Sequence, residues 1–328
     1  MHCYHERLKT VRLLAFFGSV LAILATAMPA FSADKVKIAS PQRGSWEGAI
    51  PELGRQAGIF GKHGLDLEIL YTSGGGETLQ VVIAGSVDVG LSGGTLGVMG
   101  AFAKGAPVRI IGASSTGSRE VYWFVPAKSP LQHIREASNR TLAYSTTGAS
   151  SHIAVLRFIQ TYKLEGAKPT ATGDAASTMT QALTGQVDVG WAVAPFGLDH
   201  LAKGEIRVIG RPHELPELAG QTIRVQITNA RILAERRDVI ERYLKAYRET
   251  LDWMYASPDA ISKYVAFSGF SEPAVQLTLK DFITKDSLQI DRIMGLEESA
   301  KDAVAFKFVA QPLTAQQLAE LIQGPAVK

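Results

Sequence analysis

Three stretches place hydroxyls beside glycines just ahead of apolar, helix-like segments. They are Ser73-Gly74-Gly75-Gly76, Ser92-Gly93-Gly94-Thr95 and Thr146-Thr147-Gly148-Ala149-Ser150. Such stretches offer one ligand free backbone N–H groups, side-chain hydroxyls and the positive end of a helix dipole. The chemistry that fits is capture of an anion: a sulfonate, a carboxylate or a phosphate. Ser and Thr also cap helices with no ligand present, which for any single loop is the commoner use. Three such loops converging on one crevice are less easily explained by capping alone.

Other side chains bear on the same question. Trp46, Tyr71, Tyr122, Trp123, Trp191 and Phe196 fall at or near predicted strand ends. They serve either as core packing or as a stacking wall for a flat or apolar ligand. Arg43 and Arg119 are placed to give charge to an acidic ligand, or to sit solvated at the surface. Asp88 and Asp188 occupy matching places in a repeat, which favours a structural role over a catalytic one. The histidines are scattered and form no H-E-x-x-H pair, so metal binding is not expected. Gly74-Gly75-Gly76 lacks the G-x-G-x-x-G spacing, no loop is followed by a Walker lysine, and no G-x-S-x-G elbow occurs.

The elements that must position these loops are written in a repeat. Gln80–Gly90 reads QVVIAGSVDVG and Gln181–Gly190 reads QALTGQVDVG, with Asp88 and Asp188 100 residues apart. That period is far longer than the roughly 20–50 residues of a solenoid. It predicts two similar α/β lobes. Strands are expected at 36–39, 65–71, 87–91, 108–113 and 122–125. Helices at 46–57, 77–84 and 95–103 lie between them. A second series follows: strands at 141–145, 168–172, 187–192 and 206–209, with helices at 151–162, 175–183 and 195–202. Such alternation points to mainly parallel sheets flanked by helices. Ligands then bind beyond the carboxyl ends of the strands, where all three hydroxyl loops lie. A strand at 222–227 and helices at 237–255, 258–267, 272–279 and 314–322 return the chain to the first lobe. The expected division is 34–120 with 222–328 for lobe I, and 121–221 for lobe II. The two crossings near 117–122 and 211–221 make a hinge.

The N-terminus reads as an export signal. Arg7, Lys9 and Arg12 precede an apolar run from Leu13 to Ala27, and Ala30-Phe31-Ser32-Ala33 offers small residues for cleavage. The run is short of the roughly 20 residues that span a bilayer. Cleavage after Ala33 would leave 295 of the 328 residues. Removing Glu6, Arg7, Lys9 and Arg12 takes 34 basic and 31 acidic residues to 31 and 30. A nearly neutral chain without a Lys/Arg cluster is not expected to bind nucleic acid. The single cysteine, Cys3, lies in the signal, so the mature chain is expected to have no disulfide and no thiol metal site.

The signal, the Ala57-Gly58-Ile59-Phe60 and Gly64-Leu65 pattern, the turn at Gly74–Gly76 and the repeated Gly-x-Val-Asp-Val-Gly resemble one family. It is the family of periplasmic solute-binding proteins of ATP-driven (ABC) importers that take nitrate, taurine, aliphatic sulfonates or thiamine pyrimidine precursors. The resemblance implies a two-lobed periplasmic-binding-protein fold of type II, which closes on its ligand by a hinge. It also implies a periplasmic, monomeric protein without catalysis, cofactor or metal, a small-molecule ligand, and an inner-membrane permease as transient partner. By position it implies contacts from Gln42 and Trp46, from Ser73, Gly74 and Gly75, and from Ser92 and Gly93. On the second lobe it implies Thr146, Thr147, Gly148, Ser150, Ala194 and Pro195. An anion would be held by Ser73, Ser92 and Thr147. The bulky Trp191 and Trp46 depart from a plain sulfonate binder and favour a larger or aromatic organic ligand. The alternatives are an enzyme like the pyrimidine synthases on the same scaffold, or a sensor subunit of a receptor.

Overall fold

The computed structural model describes residues 33–324 together with the backbone of 326 and 327; the expected export signal lies outside these residues. Ten strands form its framework. They are β1 (Asp34–Pro41), β2 (Leu65–Thr72), β3 (Val89–Gly94), β4 (Val108–Thr116), β5 (Val121–Pro126), β6 (Thr141–Tyr144), β7 (Lys168–Ala171), β8 (Gly190–Val193), β9 (Ile206–Gly210) and β10 (Thr222–Asn229). A first sheet has the order β2-β1-β3-β10-β4. β1 is parallel to β2 and β3, and the returning β10 is antiparallel to β3 and β4. In a second sheet β8-β5-β9 is antiparallel, and a parallel bridge from Leu142 to Val189 ties it to the β6-β7 pair. Both sheets are therefore mixed, with the expected parallel strands and one antiparallel insertion each. The chain passes between them at residues 116–121 and 210–222. There the Gly117 N–H donates to the Gln221 carbonyl at 2.9 Å, and Thr116 and Thr222 share a hydroxyl bond at 2.8 Å.

The repeat has a mechanical reason. The Asp88 carboxylate accepts the Lys37 N–H of β1 at 2.8 Å, and the Asp188 carboxylate accepts the Thr141 N–H of β6 at 2.8 Å. Each aspartate thus ties the repeat's turn to the first strand of its own sheet. Two buried hydroxyl pairs repeat at the same spacing: Thr72 with Thr78 at 2.7 Å, and Thr172 with Thr178 at 2.6 Å. Each pair pins a strand end to the helix that follows, Gly75–Ile83 in one case and Ala175–Leu183 in the other.

Some boundaries differ from expectation. The first helix runs Ile50–Gln56, because Ser45 accepts the Gly48 N–H in a turn and Pro51 favours a helix start. The helix expected at 195–202 begins at Leu198, after Gly197 at φ 80°. The C-terminal helices do not pack on the first sheet alone. Arg237–Ala256 covers one of its faces through Tyr243, Tyr247 and Leu251. Within 272–282, Ala274 and Phe282 join the second sheet's core, the Phe282 ring 5.7 Å from that of Tyr122, while Val275 stays in the first sheet's core. Helix Leu296–Ala305 packs on the far face of the first sheet. Its Asp302 pairs with Arg157 of helix Ser150–Tyr162, and the Arg157 guanidinium lies 4.9 Å from the Phe306 ring. No helix among the described residues is long and apolar enough to cross a membrane.

Candidate functional site

A cavity lies where the carboxyl ends of β1 and β3 meet the N-terminal end of helix Ser150–Tyr162. Its volume is about 40 Å³. One water needs roughly 10–15 Å³ on that measure, so the space suits a few waters and is too small for an organic solute. The two sides of the cleft stand nearly in contact. The Gly76 N–H donates to Thr146 Oγ1 at 3.0 Å across the gap. Gln42 also stitches the sides together, with Nε2 donating to the Ser73 carbonyl and Oε1 accepting the Ala175 N–H at 2.9 Å.

Glycine makes this approach possible. A Cβ on Gly94 would lie 2.1 Å from the Gly148 carbonyl, one on Gly97 2.4 Å from it, and one on Gly76 2.2 Å from the Thr147 carbonyl. No real Cβ tolerates such distances. Opposite those glycines, helix Ser150–Tyr162 begins without a side-chain cap, as does helix Gly75–Ile83. Helix Ala175–Leu183, the counterpart of the latter, is capped by Asp174. The end of helix Ser150–Tyr162 therefore keeps its N–H groups free of an N-cap side chain, whereas at helix Gly75–Ile83 the Gly76 N–H is taken by Thr146 Oγ1 from across the gap.

The cavity floor is charged. Arg224 of β10 pairs with Glu47 at 2.8 Å and with Glu120. Glu47 Oε1 also accepts the hydroxyls of Ser92 and Ser114, each at 2.6 Å. Glu47, Glu120 and Arg224 are 5%, 1% and 6% exposed. Arg224 Nε, Trp191 Nε1 and Glu120 Oε2 are among the buried side-chain atoms of the described residues that have no hydrogen-bond partner. Unpaired buried polar groups are costly, and Arg224 and Trp191 both line the cavity. Gln42 and Ser92 line it too, at φ 57° and 56°. Left-handed backbone at non-glycine residues costs about 1–3 kcal/mol each and gathers at functional sites.

Of the residues expected from sequence, Gln42, Gly74, Gly75, Ser92, Ser150 and Trp191 come together on the cavity wall. Ser73 faces an adjoining outer recess of about 210 Å³ with Tyr71, Arg43 and Phe196, on the other side of Gln42. There the Arg43 guanidinium lies 5.0 Å from the Phe267 ring and 5.7 Å from that of Tyr71. Burial, then the nearby Glu52 carboxylate, pushes the Tyr71 hydroxyl up to about 12. Thr146, Thr147 and Gly148 form the contact between the two sides. Gly93 packs behind the wall toward Ile227 and Val98. Ala194 and Pro195, joined by a cis peptide, sit at the crossing, where the Ala194 N–H donates to the Glu120 carbonyl at 2.9 Å. Trp46 is fully buried against Tyr264, ring centroids 4.7 Å apart, while its neighbours Ser45 and Glu47 reach the cavity. Glu47, Glu120 and Arg224 had no place in the sequence expectation. The available signal was Arg224, a single cation within an otherwise uncharged strand.

Comparison with known proteins gives this geometry a context. A family model described as "NMT1/THI5 like" matches residues 53–261. No curated protein sequence matches the chain. Among solved structures, the alkanesulfonate-binding protein SsuA of Xanthomonas axonopodis pv. citri, bound to MOPS, is similar with a TM-score of 0.73 at 17% identity. The match covers 91% of this chain and 100% of that one. The periplasmic nitrate-binding protein NrtA of Synechocystis PCC 6803 is similar with a TM-score of 0.66 at 12% identity, over 88% of this chain and 86% of that one. The desulfurization enzyme DSZB is similar with a TM-score of 0.59 at 13% identity, over 89% of this chain and 96% of that one. The fold is the α/β periplasmic-binding-protein fold.

Proposed function

The chain belongs to the NMT1/THI5-like family, and on that premise we propose that it is a periplasmic solute-binding protein. It captures a small organic solute between its lobes and delivers it to an ABC permease in the inner membrane. Lobe I comprises residues 34–120 and 222–328, and lobe II residues 121–221. The protein works as a monomer, without catalysis, cofactor or metal. The observation that carries the reading is the pair of unpartnered, buried donors on one cavity wall, Arg224 Nε from lobe I and Trp191 Nε1 from lobe II. A ligand acceptor that satisfies both stabilises the closed form over the open one, and that difference drives closure.

The cavity at about 40 Å³ requires the lobes to part for entry and to rest slightly wider on a bound solute. The hinge at 116–121 and 210–222 supplies that freedom. The ligand classes expected from sequence were anionic or aromatic. Trp191 supports the flat, organic side of that expectation.

The test is to purify the mature chain without denaturation, unfold it, and identify released small molecules by mass spectrometry. The refolded protein is then titrated with what is found. One bound molecule per chain that raises the melting temperature by several degrees is expected, since ligand at 100 times its Kd adds about 2.7 kcal/mol. Chemical conversion of the molecule during titration would refute the non-enzymatic reading.

A further inference from the structure

Glu47, Glu120 and Arg224 sum formally to one negative charge, and all three lie buried at the cleft. Arg224, the one arginine on the cavity wall, is shared by two carboxylates. Its free Nε and the Trp191 Nε1 still call for an acceptor. Donors without net positive charge suit an acceptor that carries no uncompensated negative charge of its own. Resting on the solute-binding reading, we infer that the cleft selects by net charge: its solute is uncharged or zwitterionic, and free anions are disfavoured. An oxygen or ring nitrogen of the solute meets Arg224 and Trp191. An N–H or ammonium group of the solute turns toward Glu47, whose carboxylate lines the same wall.

Magnitudes decide the sign. One uncompensated charge about 6 Å away, at an effective dielectric near 20, weakens binding of an anion by roughly 100-fold. The helix ends at Gly75 and Ser150 oppose this; such an end contributes about two- to fivefold in solvent and up to about thirtyfold when partly buried, but at the first of them the Gly76 N–H is already taken by Thr146 Oγ1. They orient the acceptor end of the solute without neutralising the carboxylates. A zwitterion would use both features, its acceptor end at the helices and its cation at Glu47.

The test titrates ligand-stripped mature protein with shape-matched pairs. These are 2-aminoethanesulfonate against ethanesulfonate, benzamide against benzoate, and nitrate as the smallest anion. The expected result is at least tenfold tighter binding of the zwitterionic or uncharged member. Glu120→Gln should shrink that ratio by about tenfold while the protein stays folded by circular dichroism; Glu47→Gln carries the same test if that variant does not fold. Anions bound as tightly as their partners, or more tightly, would overturn the inference and leave solute binding standing. If no probe binds, the charge of the molecule released from freshly purified protein decides: a net anion overturns the inference, an uncharged or zwitterionic molecule supports it. An empty protein that also ignores every probe would overturn the solute-binding reading, and this inference with it.

Discussion

The two sheets share their scaffolding at a spacing of 100 residues and part company at the cleft. Thr72, Thr78 and Asp88 do the same work as Thr172, Thr178 and Asp188. Where lobe I carries Gly74-Gly75-Gly76, lobe II carries Asp174-Ala175-Ala176; where lobe I carries Gly93-Gly94, lobe II carries Val193-Ala194. Leu91 in lobe I is matched by Trp191 in lobe II. The difference teaches a division of labour. The first side gives up side chains at Gly76, Gly94 and Gly97, where backbone of the other side comes close, and it supplies the buried charges. The second side supplies Trp191 and the N-terminal end of helix Ser150–Tyr162. The ion pairs follow the same split: Arg224 is buried between two carboxylates, whereas the Arg140–Asp188 pair at 3.4 Å is about 40% exposed.

The largest expected effect comes from breaking the charge asymmetry. Arg224→Met leaves two buried carboxylates without their cation and should cost about 3–5 kcal/mol, a fall in melting temperature of roughly 10 °C. Arg140→Met in lobe II should cost under about 1 kcal/mol. Both are read by thermal melts of the ligand-free protein.

Next is the close approach. Gly94→Ala, and separately Gly76→Ala, should weaken solute binding about ten- to hundredfold, because overpacking costs roughly 1–3 kcal/mol and falls on the closed form alone. The melting temperature of the ligand-free protein should hardly move. Unchanged affinity in both variants would show that the lobes do not approach through these glycines.

A matched pair then weighs the repeat. Asp88→Asn loses a partly buried pair with Arg236 at 2.5 Å and should cost about 1–3 kcal/mol. Asp188→Asn, at the exposed site, should cost about 1 kcal/mol or less.

The smallest effect is on pH dependence. Burial lowers the pKa of His152, whose Nδ1 accepts the Gly148 N–H at 3.2 Å beside the lobe contact. A histidine held neutral in the fold contributes stability that is complete above the unfolded value near 6.5 and lost as pH falls below it. Melting temperature should therefore drop between pH 7.5 and 5.5, and His152→Gln should flatten part of that slope. His133 and His213, lowered also by burial, act in the same direction.

The fold was legible because strand and glycine punctuation repeats: the two Val-Asp-Val-Gly segments, each a turn that leads into a strand, announce two sheets, and the helices at 95–103 and 175–183 fall where their patterns place them. The site was legible only as loops. Ser92 and Gly75 could be found from glycine-rich turns at strand ends, but Glu47 sits inside a turn with no pattern of its own. Glu120 and Arg224 lie 104 residues apart and meet only through the crossing strands. Trp46 looked like a ligand wall because it opens a helix, yet Tyr255 and Tyr264 lie beyond the span over which any local pattern reaches.

The central claim is closure on a solute, and an interlobe distance tests it most directly. Cys3 is the only cysteine in the sequence, so a chain beginning at Asp34 has none. Spin labels at Gln80→Cys and Ser177→Cys then report on one exposed site per lobe, beside the cleft. Double electron–electron resonance should show a longer, broader distance distribution in the stripped protein. Adding the solute recovered from the native protein should give a shorter, narrow one. An identical distribution with and without bound solute would contradict the account.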